Sequence, residues 1–183
     1  MADCNYNCPE DNLEHTPNEC EEFIPGGIDS IGFLKCGQTS ITDFSNASQY
    51  TTAIGNGDLR LVEAVLAQMP VASPVEGPST SACGPETRTN TFDRTITYMD
   101  YNVSEDNSLF YDQANRRKTY IVAHLCAGDK VMVIESPVKV VSVITVPERE
   151  NDNAHFEVTL SWRSYNGPEI ADSPAGIFNQ GEI

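Results

Sequence analysis

TYIVAHLCAGDKVMVIESPVKVVSVITVPERENDNAHFEVTLSWRS, residues 119–164, holds four strand-like runs in succession. In the last run Phe156, Val158, Leu160 and Trp162 alternate with Glu157, Thr159, Ser161 and Arg163. A repeat of two sends alternate side chains to opposite faces, so one face is apolar and the other polar. Residues 138–146 include Val140, Val141, Val143 and Ile144 and are apolar on both faces, which predicts a central strand covered on both sides. The runs are broken at Ala127-Gly128-Asp129, at Ser136-Pro137 and at the polar stretch 148–153. The first two breaks are short enough for antiparallel hairpins or tight corners. The expectation is a β-meander at the heart of a mainly β protein, an antiparallel sandwich or barrel with one or two short helices.

Outside this stretch the chain divides into an acidic, cysteine-containing N-terminal arm (1–24), the β-rich body (25–164) with a long loop at 70–90, and a C-terminal tail (165–183). The 183 residues suit one domain with extensions. No apolar run approaches the roughly 20 residues of a membrane span. No basic segment followed by an apolar one opens the chain, so a secretory signal is not expected. In a reducing compartment the six cysteines read as free thiols or metal ligands rather than disulfides.

The charge is one-sided: 27 acids face 11 basic residues, a formal net of −16. Neutralising nucleic-acid phosphates requires clustered Lys and Arg. The only basic run is Arg116-Arg117-Lys118, so sequence-specific nucleic-acid binding is not expected. Such acidity suits solubility, and it also suits a wall along which DNA passes without sticking.

The arm has seven acids and no Lys or Arg within residues 1–22. Cys4, Cys8, His15 and Cys20 follow the spacing C-x3-C-x6-H-x4-C, a stretched relative of the zinc knuckle. Four such ligands can satisfy tetrahedral zinc, which would order the arm. The first two spacings depart from the knuckle, so unligated surface cysteines are the other reading; Cys36 is a further candidate ligand. No cofactor other than this zinc is suggested.

Residues 28–34 read as a strand after the Pro25-Gly26-Gly27 hinge. Ser45 can cap a short helix over 46–54 that Gly55-Asn56-Gly57 stops. Residues 59–69 fit a helix by spacing, but the β context favours a strand. Residues 70–90, with four prolines and almost nothing to bury, read either as a solvated linker or as an extended loop that docks on a neighbouring copy. Residues 91–101 form another strand. Ser104 then caps a helix with acids in its first turn and Arg116, Arg117 and Lys118 in its last. Leu109, Phe110 and Ala114 are expected to face the sheet. In the tail, Ile177 and Phe178 can anchor to the body or to a neighbour.

Chemistry is sparse. There is no phosphate-binding loop, no dinucleotide fingerprint and no nucleophile elbow. His124 and Cys126 share a strand face, but a packed strand pair explains them as well as a nucleophile pair does. Asn46-Ala47-Ser48 and Asn102-Val103-Ser104 match the glycosylation pattern, which matters only in a secreted protein. No catalytic residue is assigned.

Four segments resemble the small virion proteins of tailed bacteriophages, in particular of crAss-like and related phages of Bacteroidota. They are P-G-G-I at 25–28, I-T-D-F at 41–44 leading to A-I-G-N-G at 53–57, R-T-I-T-Y-M-D at 94–100, and F-E-V-T-L-S-W at 156–162. The likeness spans roughly residues 25–178 and leaves the cysteine-bearing arm outside. It implies a tail-tube-like sandwich or barrel, a homo-oligomer closed as a six- or twelve-fold ring in the tail or neck, and an acidic channel for DNA. It also implies neighbouring virion proteins, such as other tail rings or the portal, as partners. A capsid decoration or head–tail completion protein, and a small metal-binding module or hydrolase, are the alternatives.

Overall fold

In a computed structural model the described residues are 27–35, 41–81, 84–116, 119–125, 130–148 and 152–178. The chain runs β1 (Ile28–Lys35), α1 (Ala47–Gly55), β2 (Leu59–Ala67), β3 (Ser73–Ser81), β4 (Gly84–Asp100), α2 (Glu105–Arg116), β5 (Thr119–Leu125), β6 (Lys130–Thr145), β7 (His155–Ser164) and β8 (Glu169–Asp172). The protein is therefore mainly β with two helices, as the alternating runs predict. The strands form one open antiparallel sheet in the order β2-β1-β5-β6-β7-β4-β3, with β8 added beside β6. One antiparallel bridge, Gln68 to Thr97, ties the chain just past β2 to β4.

β5, β6 and β7 are the expected meander, but the break at Ser136-Pro137 is not a turn. β6 runs straight through it. Its first half pairs with β5, and Lys139–Thr145 pairs with β7. Pro137 has no N–H to give to a ladder. It sits where β6 leaves one neighbour for the next, and the β5–β6 register shifts beside it. A single long strand thus joins two half-sheets.

The larger core cluster lies between these halves and under α2. It includes Ile31 and Phe33 from β1, Ile121 from β5, Ile134 and Val140 from β6, and Val158 and Leu160 from β7. Phe156, Val158, Leu160 and Trp162 are all buried, as their alternation requires. A smaller cluster covers the opposite face of β1, β5 and β6, where Tyr50 and Ala53 of α1 and Phe178 pack on Leu34, Val122 and Val131. Phe178 thus anchors the C-terminal segment to its own body. Gly32 permits this tight packing. A Cβ there would lie 3.1 Å from Leu59 Cδ1 and 3.3 Å from Leu61 Cδ2.

The helix ends follow local chemistry. α1 is capped by Asn46, whose side chain accepts from Ser48 N at 3.1 Å. Ser45, the expected cap, instead donates its hydroxyl to Asp43 at 2.7 Å. At the other end Gly57 takes φ 73°, Gly57 N donates to Ile54 O at 3.0 Å and Asp58 N to Ala53 O at 2.9 Å. This closes the helix with a left-handed residue. In α2 Ser104 Oγ accepts from Asn107 N at 3.2 Å. Tyr111 and Ala114 are buried and Phe110 packs against the core, whereas Leu109 faces solvent. Helical phase puts 111 and 114 on one stripe, three apart, and turns 109 away from it.

The expected loop at 70–90 is a β-hairpin. β3 pairs with Gly84–Asp93 of β4, and only Phe92–Asp100 continues into the sheet beside β7. Two strands therefore run past the body for about 25 Å. Pro74 and Pro78 lie in β3, the outermost strand, where a missing N–H interrupts no further ladder.

Candidate interaction surface

The outward face of β6, β7 and β4 is open. Residues 138–146 are not covered on both sides: Val138 and Val140 point into the core, while Val141 and Val143 are exposed. Among the described residues no helix or second layer covers the outer side of this half-sheet, so apolar side chains there are exposed. Register places Val143 beside Glu157 and Glu157 beside Met99. Met99 and Tyr101 are both exposed, and the Tyr101 hydroxyl approaches Met99 Sδ at 3.5 Å. The Tyr101 ring leans on His155 at 5.4 Å.

Leu66 completes the apolar edge. It is 82% exposed and has φ 36°, a left-handed value that costs a branched side chain about 1–2 kcal/mol. The distortion lets Ala67 turn inward and lets Gln68 exchange two backbone hydrogen bonds with Thr97, at 2.9 and 3.0 Å. Leu66, Thr97, Met99, Tyr101 and Glu157 thereby line one shallow groove.

Charges on the same face are partly paired. Arg163 Nε donates to Asp93 Oδ1 at 2.6 Å and Nη2 to Oδ2 at 3.0 Å. These bonds hold the Asp93 carboxyl below its ordinary range and the guanidinium above its own. Lys130 pairs with Asp172 where β8 joins β6.

Two buried polar groupings complete the inventory. His124 donates from Nδ1 to Asp29 Oδ1 at 2.7 Å, and Phe178 stacks on its ring at 5.0 Å. Ser30 lies opposite His124 in the strand register. Serine, histidine and aspartate are thus neighbours, yet Nε2 of His124 has no hydrogen-bond partner among the described residues. His124 and Ser30 are both about 1% exposed. A hydrolytic triad needs the nucleophile bonded to the histidine and open to substrate, so the group acts as a packed strand pair. In the second grouping the Tyr98 and Tyr111 hydroxyls lie 3.2 Å apart, and Tyr111 donates to Asp100 Oδ2 at 2.8 Å. Burial pushes both phenols well above their ordinary range, and the same holds for Tyr50. This chain ties α2 to β4.

The zinc candidates Cys4, Cys8, His15 and Cys20 lie outside the described residues, as do Cys36 and Cys126. Among the described residues no group of three or more His, Cys, Asp or Glu is placed to hold a metal ion. No helix among them is long and apolar enough to cross a membrane. The exposed residues Met99, Tyr101 and Val143 were missed as a surface. Strand alternation in residues 91–101 puts Met99 in phase with Thr95 and Thr97 on the polar side, which was the available signal. No family model, curated protein or solved structure matches the chain.

Proposed function

We propose that the chain is a non-enzymatic structural subunit of a tailed-phage virion, a homo-oligomeric ring in the tail or neck whose carboxylates line a channel for DNA. The phage setting rests on the resemblance of the segments within residues 25–178. The observation that supports an assembling subunit is the projecting arm of β3 and the first half of β4. Among the described residues it has no third strand beside it. A lone two-stranded hairpin is at best marginal in water, so a neighbouring copy is its natural support. An acidic inner wall suits the net charge of −16, because like charges keep DNA from adhering.

Negative-stain electron microscopy with mass photometry on the purified full chain tests this. Rings or stacked tubes with a central hole are expected, and deletion of residues 74–90 should dissolve them into monomers that keep the β-type circular dichroism. A closed oligomer without a hole would point instead to a capsid decoration or head–tail completion protein. A monomer at high concentration, with or without the arm, would overturn the self-assembling ring.

A further inference from the structure

We propose that the gap between β7 and β8 is a binding site for a neutral saccharide, with Trp162 and Tyr165 meeting the sugar ring. The site goes beyond the assembly reading and does not depend on it. Its position follows from how β6 is flanked. β5 lies along one edge of β6, while β8 pairs with residues 130–133 and β7 with residues 139–145. β7 and β8 therefore follow one another along the same edge, and neither reaches residues 134–138. Val133 and Lys139 are separated by about 20 Å of strand. The short link 165–168 carries the chain from β7 to β8 across this break. A cavity of about 550 Å³ opens there, lined by Val133 and Ile134 of β6, by Trp162 and Ser164 of β7, and by the link itself. That volume lies within the range of small-ligand sites.

The lining decides the ligand class. Tyr165 is 71% exposed and Trp162 only 6%, so one aromatic ring is open to solvent and the other lies deep. A buried tryptophan ordinarily gives its N–H to a partner, but no hydrogen bond among the described residues takes this one. Thr91, Ser136, Ser164 and Asn166 add three hydroxyls and an amide, which both donate and accept. The Ser164 hydroxyl donates to the Asn166 carbonyl at 2.8 Å, which fixes the turn and leaves the Asn166 amide side chain exposed. Two charged residues also line the cavity. Arg163 is committed to both oxygens of Asp93, so exposed Glu169 is the charge open to a ligand. An anion would meet that carboxylate and a net charge of −16. A wholly apolar ligand would strip water from the hydroxyls and the amide without replacing their hydrogen bonds. An ammonium cation would suit Glu169 and the rings but would leave the neutral polar groups unused. A saccharide uses every part: its hydroxyls exchange hydrogen bonds with Ser136, Asn166 and Glu169, and its C–H face covers an aromatic ring.

Trp162 is the single tryptophan of the chain, so its fluorescence reports on this cavity. The full chain is titrated with glucose, galactose, mannose, N-acetylglucosamine and their disaccharides, and the labelled chain is applied to a glycan array. Choline serves as the cationic probe and inorganic phosphate as the anionic one. At least one saccharide should shift the emission saturably, with half-saturation in about the millimolar range. Tyr165→Ala and Asn166→Ala should each weaken that response about fivefold, the loss expected for one stacking or hydrogen-bonding contact. Both positions are exposed, and an unchanged melting temperature checks that each variant is folded. Leu109→Ala, exposed on α2 and outside the lining, should leave the response as it is. The absence of a saturable shift from any saccharide, on the titrations and the array alike, overturns the site. A shift that survives both variants overturns it too, because the sugar then binds elsewhere, and a response to choline or phosphate alone makes it an ion site. Mass photometry on the same sample scores the ring separately: a saccharide response in a monomer leaves this site standing while the ring fails.

Discussion

Replacing Tyr111 with phenylalanine tests the polar chain that fixes α2. The substitution keeps the ring, which packs at 5.1 Å from Phe110 and 5.0 Å from Phe156, and removes only the hydroxyl. Two hydrogen bonds go with it. One is the charge-assisted bond to Asp100, the other the contact with the buried Tyr98 hydroxyl. A bond to a charged group contributes about 1.5–3 kcal/mol and a neutral one about 1, while Asp100 regains water once freed. The net cost at neutral pH should be about 2 kcal/mol. For a domain of this size that lowers the melting temperature by about 4–8 °C. The pH dependence adds a sharper test. Burial raises the Tyr111 phenol above the value of about 10 that it has in the unfolded chain. Its stabilising contribution is therefore complete below pH 10 and is lost as pH rises, because the unfolded chain releases a proton that the folded one keeps. That loss is about 1.4 kcal/mol per pH unit for each such tyrosine. The variant has one fewer, so its alkaline slope is shallower. The stability difference should shrink from about 2 kcal/mol at pH 7 to near zero by about pH 11.5. Urea unfolding of both proteins from pH 7 to 11.5 measures this. An unchanged stability at pH 7, or parallel alkaline slopes, would show that Tyr111 is not held as described.

Leu160 is fully buried between Ile96 and Val140 in the ladder, so Leu160→Ala should cost about 3 kcal/mol in urea unfolding. Gly57→Ala forces a Cβ into the left-handed turn after α1 and should cost about 1 kcal/mol. Gly167→Ala meets no atom within 4 Å and should leave the melting temperature unchanged, which makes it the control. Phe178→Ala removes the ring packed on His124 and on Tyr50, at 5.0 and 5.9 Å. Limited proteolysis should then cut the exposed Tyr165–Gly167 segment much faster than in the native protein, while the body stays resistant.

The core strands were legible because their chemistry is periodic. Phe156 to Trp162 alternates, and the structure buries that set and no other in β7. Residues 138–146 misled for a related reason. An all-apolar run says that both faces avoid charge, but not that both faces are covered; here nothing among the described residues covers Val141 and Val143. Pro137 read as a break because proline usually ends a strand, yet β6 changes partners there and has no ladder bond to lose. The hairpin at 73–91 was hidden because a strand outside the core needs no apolar alternation. Its pairing is set by partner residues up to 20 apart, Ser73 and Asp93, which no local pattern records. Leu109 and Tyr111 exchanged roles through helix phase alone. A shift of two residues rotates a side chain by about 200°.

The distribution of apolar surface explains why this sheet is left half covered. α1 and Phe178 close the outer side of the β1–β5–β6 half, and α2 sits against the core between the halves. The chain has no third helix among the described residues for the β6–β7–β4 half. That half instead bears Thr95, Thr97, Thr159 and Ser161 in register, with Val141 beside Thr159 and more apolar residues at the end where Met99, Glu157 and Val143 align. Hydroxyl-bearing strands tolerate water, so most of this face needs no cover. The end with Leu66, Met99, Tyr101 and Val143 does not share that property. It is also the end where the backbone spends strain at Leu66 to bring β2 against β4. A partner that buried these four side chains would gain on the order of 25 cal/mol for each Å² removed from water. The same partner must not be strongly acidic, because exposed Glu157 lines the contact.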